Sequence, residues 1–295
     1  MNQEEQNYLD LLKNILDNGS DREDRTGIGT KSIFGTQLRF SLENDKIPML
    51  TTKKMFSKGV IEELLFFLRG ETDTKILENK GVKIWIGNTS REFLDKRELK
   101  YLPEGDMGKG YGFQWRKFGE QEPECNNDDC RIDTNGVDQV AQVINTLKTN
   151  PTDRRIIISA WNPKQLNEAA LPPCHMMAQF YANKNKLSCQ FIMRSVDTLL
   201  GLPFNILSYA ILTKIIAKAV NMEPKEIIFV GGDTHVYASH FQQAKEQISR
   251  KPFKFPTMII NKPLYAIEDI EALQLADFAI TGYEHHSAIK AKMCI

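Results

Sequence analysis

No excess of either charge, no unbroken apolar run of membrane length and no evenly spaced cysteine framework occur in this 295-residue chain. Lys plus Arg and Asp plus Glu number 38 each, so no global positive field draws it to a nucleic-acid duplex or an anionic membrane. A local basic pocket for one phosphate stays open. Nowhere do about 18 apolar residues run together, which argues against a membrane span. The start, Met1-Asn2-Gln3-Glu4-Glu5, is acidic and polar and does not read as a secretory signal or transit peptide. Five cysteines are an odd number and read as thiols in a reducing compartment, so an intracellular, cytoplasmic protein is expected. Long Gly/Ser or Pro linkers and internal repeats are also missing. Residues 1–295 therefore read as a single domain, with enough apolar content, 41%, for a large core.

What is present is a mixture of periodicities. Tyr8, Leu11, Leu12, Ile15 and Leu16 recur at helical spacing and stop at Gly19, a candidate C-terminal cap. Leu38, Phe40 and Leu42 alternate as in a strand. A helix is expected from about Ser57, with Val60, Leu64, Phe67 and Leu68 inward. Residues 119–136 turn acidic, Asn-rich and nearly free of apolar side chains, and read as a polar surface insertion before a helix carrying Val137, Val140, Ile144 and Leu147. Cys125 and Cys130 lie in it without matching ligand partners, so no metal is expected. Strands are expected over 156–161, 179–182 and 187–193, with a polar hairpin loop at Asn183-Lys184-Asn185-Lys186. An almost wholly apolar helix over 206–220 demands a core around it. A short strand follows at 227–230, then a helix past His240. Strict βαβ alternation is missing, which predicts an α+β fold with a large mixed, mostly antiparallel sheet flanked by helices.

Several residues could carry chemistry. Cys174 follows Pro172-Pro173, whose fixed φ would define the thiol position; a buried structural cysteine is the competing reading. A nucleophilic sulfur needs positive neighbours, and Arg194, Arg154 and Arg155 are candidates. Arg194-Ser195 would make a phosphate clamp, with Arg25 beside a Gly-rich turn as a further arginine. Strand alternation predicts that one of Arg154 and Arg155 emerges from the core side or at an interface. Glu63 lies beside the apolar stripe of its helix, where burial would raise its pKa; a snorkelling rim glutamate is the alternative. Glu62, about 100° away, is expected to be the solvated neighbour. His235 and Tyr237 follow Gly231-Gly232-Asp233-Thr234 and could donate to a sugar hydroxyl or belong to an ordinary turn. Asn205 could read an N–H beside a C=O, or cap the helix that it opens.

These residues sit in ordered blocks that resemble the thymidylate synthase family along nearly the whole chain. The blocks are Asp24-Arg25-Thr26-Gly27, Thr51-Thr52-Lys53, Glu63-Leu64-Leu65, Ile84-Trp85, Tyr111 to Arg116, Asp153 to Ile156, Ala160 to Pro163, Leu171 to His175, Arg194-Ser195, Gly201 to Asn205 and His235-Val236-Tyr237. The resemblance implies a methyltransferase that converts dUMP and 5,10-methylenetetrahydrofolate, a co-substrate, to dTMP and dihydrofolate without a metal. It implies Cys174 as the nucleophile toward uracil C6, Glu63 as the acid/base carboxylate, Tyr111 in proton removal from C5 and Asn205 as the base reader. Arg25, Arg194 and Ser195 match phosphate-binding positions, His235 and Tyr237 the ribose partners, and His175 and Asp197 join the substrate-binding set. Lys53, Ile84, Trp85, Asp197 and Phe204 match folate-contacting positions, and the tail ending at Ile295 matches a segment that closes over the site. Arg154 and Arg155 match a pair that reaches the partner subunit's phosphate, which implies a homodimer with sheets packed back to back.

Three positions depart from the family pattern. Ile86 stands where Asp is usual, Lys109-Gly110 where Pro-Val is usual, and Met193 where Gln is usual. Deoxycytidylate hydroxymethylases share a Met-Arg-Ser run and the loss of that Asp. A dUMP hydroxymethylase giving 5-hydroxymethyl-dUMP and tetrahydrofolate is therefore the alternative, although Asn205 is the uracil-type reader and the tail favours hydride transfer. An RNA-binding or catalytically silent family member is a further reading, disfavoured by the zero net charge and by the intact Cys174, Glu63 and arginine set.

Overall fold

A computed structural model describes residues 2–24, 26–121 and 135–294. The chain opens with α1 (Gln3–Asn18), β1 (Ser20–Arg22), β2 (Thr30–Ser41) and α2 (Ser57–Leu68). Short helices α3 (Lys75–Asn79), α4 (Ile86–Thr89), α5 (Arg91–Lys96) and α6 (Tyr111–Lys117) lead to α7 (Gln139–Thr149). Then come β3 (Ile157–Ser159), β4 (His175–Asn183), β5 (Lys186–Asp197), α8 (Leu202–Ala219), β6 (Glu223–Tyr237) and α9 (Phe241–Ile248). A two-stranded sheet of β7 (Thr257–Ile260) and β8 (Phe278–Thr281) flanks α10 (Ile267–Glu271).

Local chemistry sets α1. Asn2 caps it by accepting from the Glu5 N–H at 3.3 Å, and Glu4 and Glu5 place negative charge at the positive end of the helix dipole. Gly19 does end the helix, but with extended backbone rather than a left-handed turn; a Cβ there would lie 2.4 Å from Ile15 O, so close approach demands glycine. Glu5 is fully buried and accepts from the N–H and hydroxyl of Thr51 (2.8 and 2.6 Å) and of Thr52 (both 2.8 Å). Four donors converge on one carboxylate, fixing the segment that leads into Lys53. Glu5→Gln would turn an N–H₂ toward these donors. A loss of roughly 2 kcal/mol is expected, read as a lower urea midpoint at unchanged m; an unmoved midpoint would count against this anchoring role.

Among the described residues, six strands form one sheet in the order β1-β2-β6-β5-β4-β3. Only β5 and β6 run parallel, and α8 joins them as a crossover; the remaining pairs are antiparallel. The α+β expectation with a mixed, mostly antiparallel sheet therefore holds. Helix α8 is long and apolar enough to cross a membrane by length and composition, yet it is buried against β5 and β6 and contacts α2. The opposite sheet face carries half-buried Gln190, Ile192 and Val230.

Several boundaries differ from the sequence reading. The strand expected over 156–161 shrinks to β3, and Arg154 and Arg155 precede it in a loop, both exposed, so strand alternation does not govern them. Strand β4 begins at His175, and the hairpin closes through Lys184 and Asn185, with Lys184 at φ +53°. Val137 lies before α7, bridged to Phe118 and 48% exposed. Gly231 to Thr234 form no turn; they lie inside β6, whose pairing runs from Glu223 to Tyr237. Gly232 belongs there because a Cβ would sit 2.6 Å from Arg194 O on β5. Most of the 119–136 insertion, with Cys125 and Cys130, lies outside the described residues, as do Arg25 and Ile295.

Candidate active site

One end of the sheet, where β4 begins and β5 and β6 finish, carries several of the expected residues, and α2, α6 and the start of α8 carry others. Cys174 precedes β4 directly, and its N–H donates to Tyr111 Oη at 2.8 Å. Arg194, across the β4–β5 ladder, donates through Nε to Pro173 O (2.8 Å) and through Nη2 to Pro172 O (3.0 Å). Its Nη2 also lies 3.7 Å from Cys174 Sγ, and its Cζ lies 5.7 Å from the centre of the Trp161 ring. One guanidinium thus pins both prolines and stands beside the sulfur as the positive neighbour that a nucleophilic thiol requires. Neither Arg154 nor Arg155 plays that part here. Arg155 makes a forked ion pair with Asp153 (2.9 and 2.7 Å) while its side chain stays 87% exposed. Arg154 accepts from Gln179 through its carbonyl.

Tyr111 opens α6 and is buried, its phenol held well above the ordinary range by burial and then by Cys174. It stacks on His175 with ring centres 3.9 Å apart. His175 is buried as well, bonds Tyr209 Oη at 2.9 Å, and burial lowers its pKa to about 3, leaving it neutral. The structure therefore sets His175 behind Tyr111 as a supporting ring.

Glu63 sits on α2 with Oε1 accepting from Trp85 Nε1 at 2.8 Å. Burial raises its pKa to about 7, only partly offset by the Trp85 bond. Trp85 and Phe67 pack on Tyr111 at 6.1 and 5.1 Å, linking Glu63 to the Tyr111–Cys174 contact. The expectation for its neighbour is overturned: Glu62 is 6% exposed and pairs with Lys80 at 2.7 Å. The angle between the two residues is as expected, but α3 and its following turn cover the side that Glu62 faces.

Asn205 lies in the first turn of α8, half-buried, with its N–H on Gly201 O. Gly201 holds the N-cap position, so Asn205 is not the cap. Ser195 is half-buried on β5 opposite Asp233. His235 Nδ1 lies 3.2 Å from Asp233 Oδ1, and its ring stands edge-on to Tyr237 at 5.2 Å.

A second set of expected residues includes Asp197 and Lys53. Asp197 Oδ1 accepts from the N–H groups of Leu199 and Leu200 (2.9 and 3.0 Å). Lys53 is turned inward: it is 4% exposed, donates to Leu199 O, and burial lowers its pKa to about 8 against the pull of Asp197. Ile84 (37% exposed), half-buried Trp85 and half-buried Phe204 offer apolar surface. Two contributors went unrecognised in the sequence: Trp161 under Arg194, and His240, whose burial no local pattern signals. Among the described residues no cluster of His, Cys, Asp or Glu is arranged to hold a metal.

The departures from the family pattern fall in distinct places. Met193 is buried in β5 opposite His175, so it packs rather than faces the cleft. Lys109 pairs with Glu168 at 2.6 Å and lies over the Phe113 ring, and Ile86 opens α4, 41% exposed.

The family model described as "Thymidylate synthase" matches residues 6–295. The chain is 51% identical to the thymidylate synthase of Saccharomyces cerevisiae, covering 100% of this chain and 98% of that one. It is likewise 51% identical to the thymidylate synthase of Candida albicans, with the same coverage. It is 48% identical to the bifunctional dihydrofolate reductase-thymidylate synthase of Leishmania major over 100% of this chain and 56% of that relative.

Proposed function

This chain belongs to the thymidylate synthase family, and from that premise we propose how its side chains convert dUMP and 5,10-methylenetetrahydrofolate to dTMP and dihydrofolate. Cys174 Sγ adds to uracil C6, and the displaced electron pair moves through C5 to O4. Asn205 donates to that developing oxyanion and accepts from the ring N–H, while Glu63, poised near neutrality, exchanges protons on the O4 side. The folate supplies the one-carbon unit that C5 attacks. Loss of the C5 proton breaks that carbon's bond to the folate nitrogen, and the resulting exocyclic methylene takes a hydride from the tetrahydrofolate, which leaves as dihydrofolate. Tyr111, whose hydroxyl already receives the Cys174 N–H, assists the departure of the C5 proton. Once the methyl group is complete, the C6–S bond breaks and the thiolate returns to the side of Arg194. Arg194, Ser195 and Arg25 take the phosphate, and His235 and Tyr237 the ribose.

The chain's own groups fit the folate. Asp197 can accept from pterin N–H groups, while Ile84, Trp85 and Phe204 can cover its rings. Lys53 contributes by binding Leu199 O and steadying the Asp197–Leu200 turn. The observation that carries the reading is Arg194 joining Pro172, Pro173 and the Cys174 sulfur. Incubation with dUMP and methylenetetrahydrofolate tests it, dTMP and dihydrofolate appearing in equal amounts. Hydroxymethyl-dUMP with tetrahydrofolate would instead indicate the hydroxymethylase, an outcome unsupported by the full-length synthase relatives.

The reading includes a homodimer, packed through the sheet face opposite α8, in which exposed Arg154 and Arg155 reach the partner's phosphate. Arg155, held outward by Asp153, supports it. Mixing inactive Cys174→Ala and Arg155→Ala proteins under conditions that exchange subunits should restore activity, because one site of each heterodimer keeps both residues. No restoration after verified exchange would sink the shared site. Cys174, Cys189 and Cys294 are thiols rather than disulfides, which supports placing the protein in the reducing cytoplasm.

A further inference from the structure

His240 takes no part in the chemistry above, yet it occupies a buried junction between two parts of the site. It ends the 3₁₀ turn Ala238–His240 after β6 and is 2% exposed. Its Nε2 lies 2.8 Å from the carbonyl oxygen of Lys292 in the C-terminal segment. A carbonyl only accepts, so Nε2 carries the proton. Its Nδ1 is buried with no hydrogen-bond partner among the described residues and faces Asp197 Oδ2 at 3.9 Å. Cys294 Sγ, two residues beyond Lys292, lies 3.9 Å from the same Nε2 and 3.8 Å from Ser239 Oγ. The Tyr237 ring stands edge-on to the imidazole at 5.8 Å. One ring therefore meets the tail through one nitrogen and the carboxylate of the Asp197 turn through the other.

We infer that His240 is a positioning residue: its Nε2–H latches the C-terminal tail through Lys292 O and ties tail closure to Asp197. The coupling to substrate rests on the preceding assignment of Asp197 to folate; the latch itself rests only on the geometry. A folate that orders Asp197 fixes the wall against which His240 stands, and a fixed His240 holds the tail shut. By reciprocity a docked tail tightens folate binding.

Two substitutions separate the nitrogens. In His240→Gln the amide N–H₂ falls near Nε2 and can still donate to Lys292 O. In His240→Asn the amide falls near Nδ1, reaching toward Asp197 but not the tail. Hydrogen–deuterium exchange of the peptide spanning 286–295 in the full-length protein reads docking without reference to activity. His240→Asn should exchange about ten-fold faster than wild type, the loss of roughly one net hydrogen bond, with His240→Gln close to wild type. In turnover, His240→Asn should raise KM for the folate and release C5 tritium in excess of dTMP, with dUMP affinity unchanged. Equal exchange in wild type and His240→Asn, or His240→Gln as fast as His240→Asn, would overturn the latch. If the exchange order holds in a protein that makes no dTMP, the latch stands and the assigned reaction fails.

Discussion

Cys174→Ala is expected to lower dTMP formation by at least about 10⁴-fold, the scale on which removal of a catalytic nucleophile acts. The reason is specific to the pyrimidine. C5 of uracil does not attack carbon until C6 becomes tetrahedral, and no other group described near the cleft combines a polarisable nucleophile with an adjacent guanidinium. The substitution deletes only Sγ. The backbone N–H of residue 174 still reaches Tyr111, and Arg194 still holds the Pro172 and Pro173 carbonyls, so the loop geometry survives. Calorimetry should accordingly show dUMP bound with affinity close to wild type while turnover vanishes. A fluorinated dUMP analogue with folate should add covalently to the Cys174 peptide of the wild type and leave the variant unlabelled. Activity of Cys174→Ala within ten-fold of wild type would end the covalent reading.

Glu63→Gln should act in opposite directions on rate and stability. The carboxyl keeps its proton to about pH 7 in the folded chain because burial penalises the charge, whereas in the unfolded chain it ionises near its ordinary value of 4.5. Between these values the folded state holds the extra proton, so stability declines as pH rises through this window, by up to about 3 kcal/mol. Gln cannot ionise and removes the decline. The variant should therefore gain stability relative to wild type at pH 8, most visibly in urea, with little difference at pH 4. Its kcat should fall by about 10²- to 10⁴-fold, because a proton carrier matched to neutral pH is lost, and the inflection near pH 7 should disappear from the kcat profile. A variant with wild-type kcat, or one with no stability gain at pH 8, contradicts the corresponding half of this expectation. A buried acid that costs stability and is needed for rate is the usual signature of a catalytic position.

The local surroundings of two candidate residues are legible in the sequence. The apolar spacing around Glu63 predicts a partly desolvated carboxylate, and the Pro172-Pro173 pair predicts a well-placed thiol; both are found. The same spacing misjudges Glu62. A helical wheel gives direction but not what lies there, and here Lys80 approaches from the end of α3. Gly231-Gly232 reads locally as a turn because glycine permits one. It is strand because β2 and β5 pair with it on both sides, and the approach of Arg194 O then requires glycine at 232. Lys53 matches a folate-contacting position by resemblance, and its burial against Leu199 O, a partner far along the chain, is not legible in the sequence.

The order of the motif blocks and the helix and strand periodicities were thus determined by the sequence alone, because each depends on neighbours within a few residues. Which carboxylate is buried, how Arg194 reaches a sulfur, and that His240 touches both Asp197 and the tail were decided only in three dimensions. Those outcomes turn on desolvation and hydrogen-bond partners, and no local pattern encodes the meeting of segments that are distant along the chain.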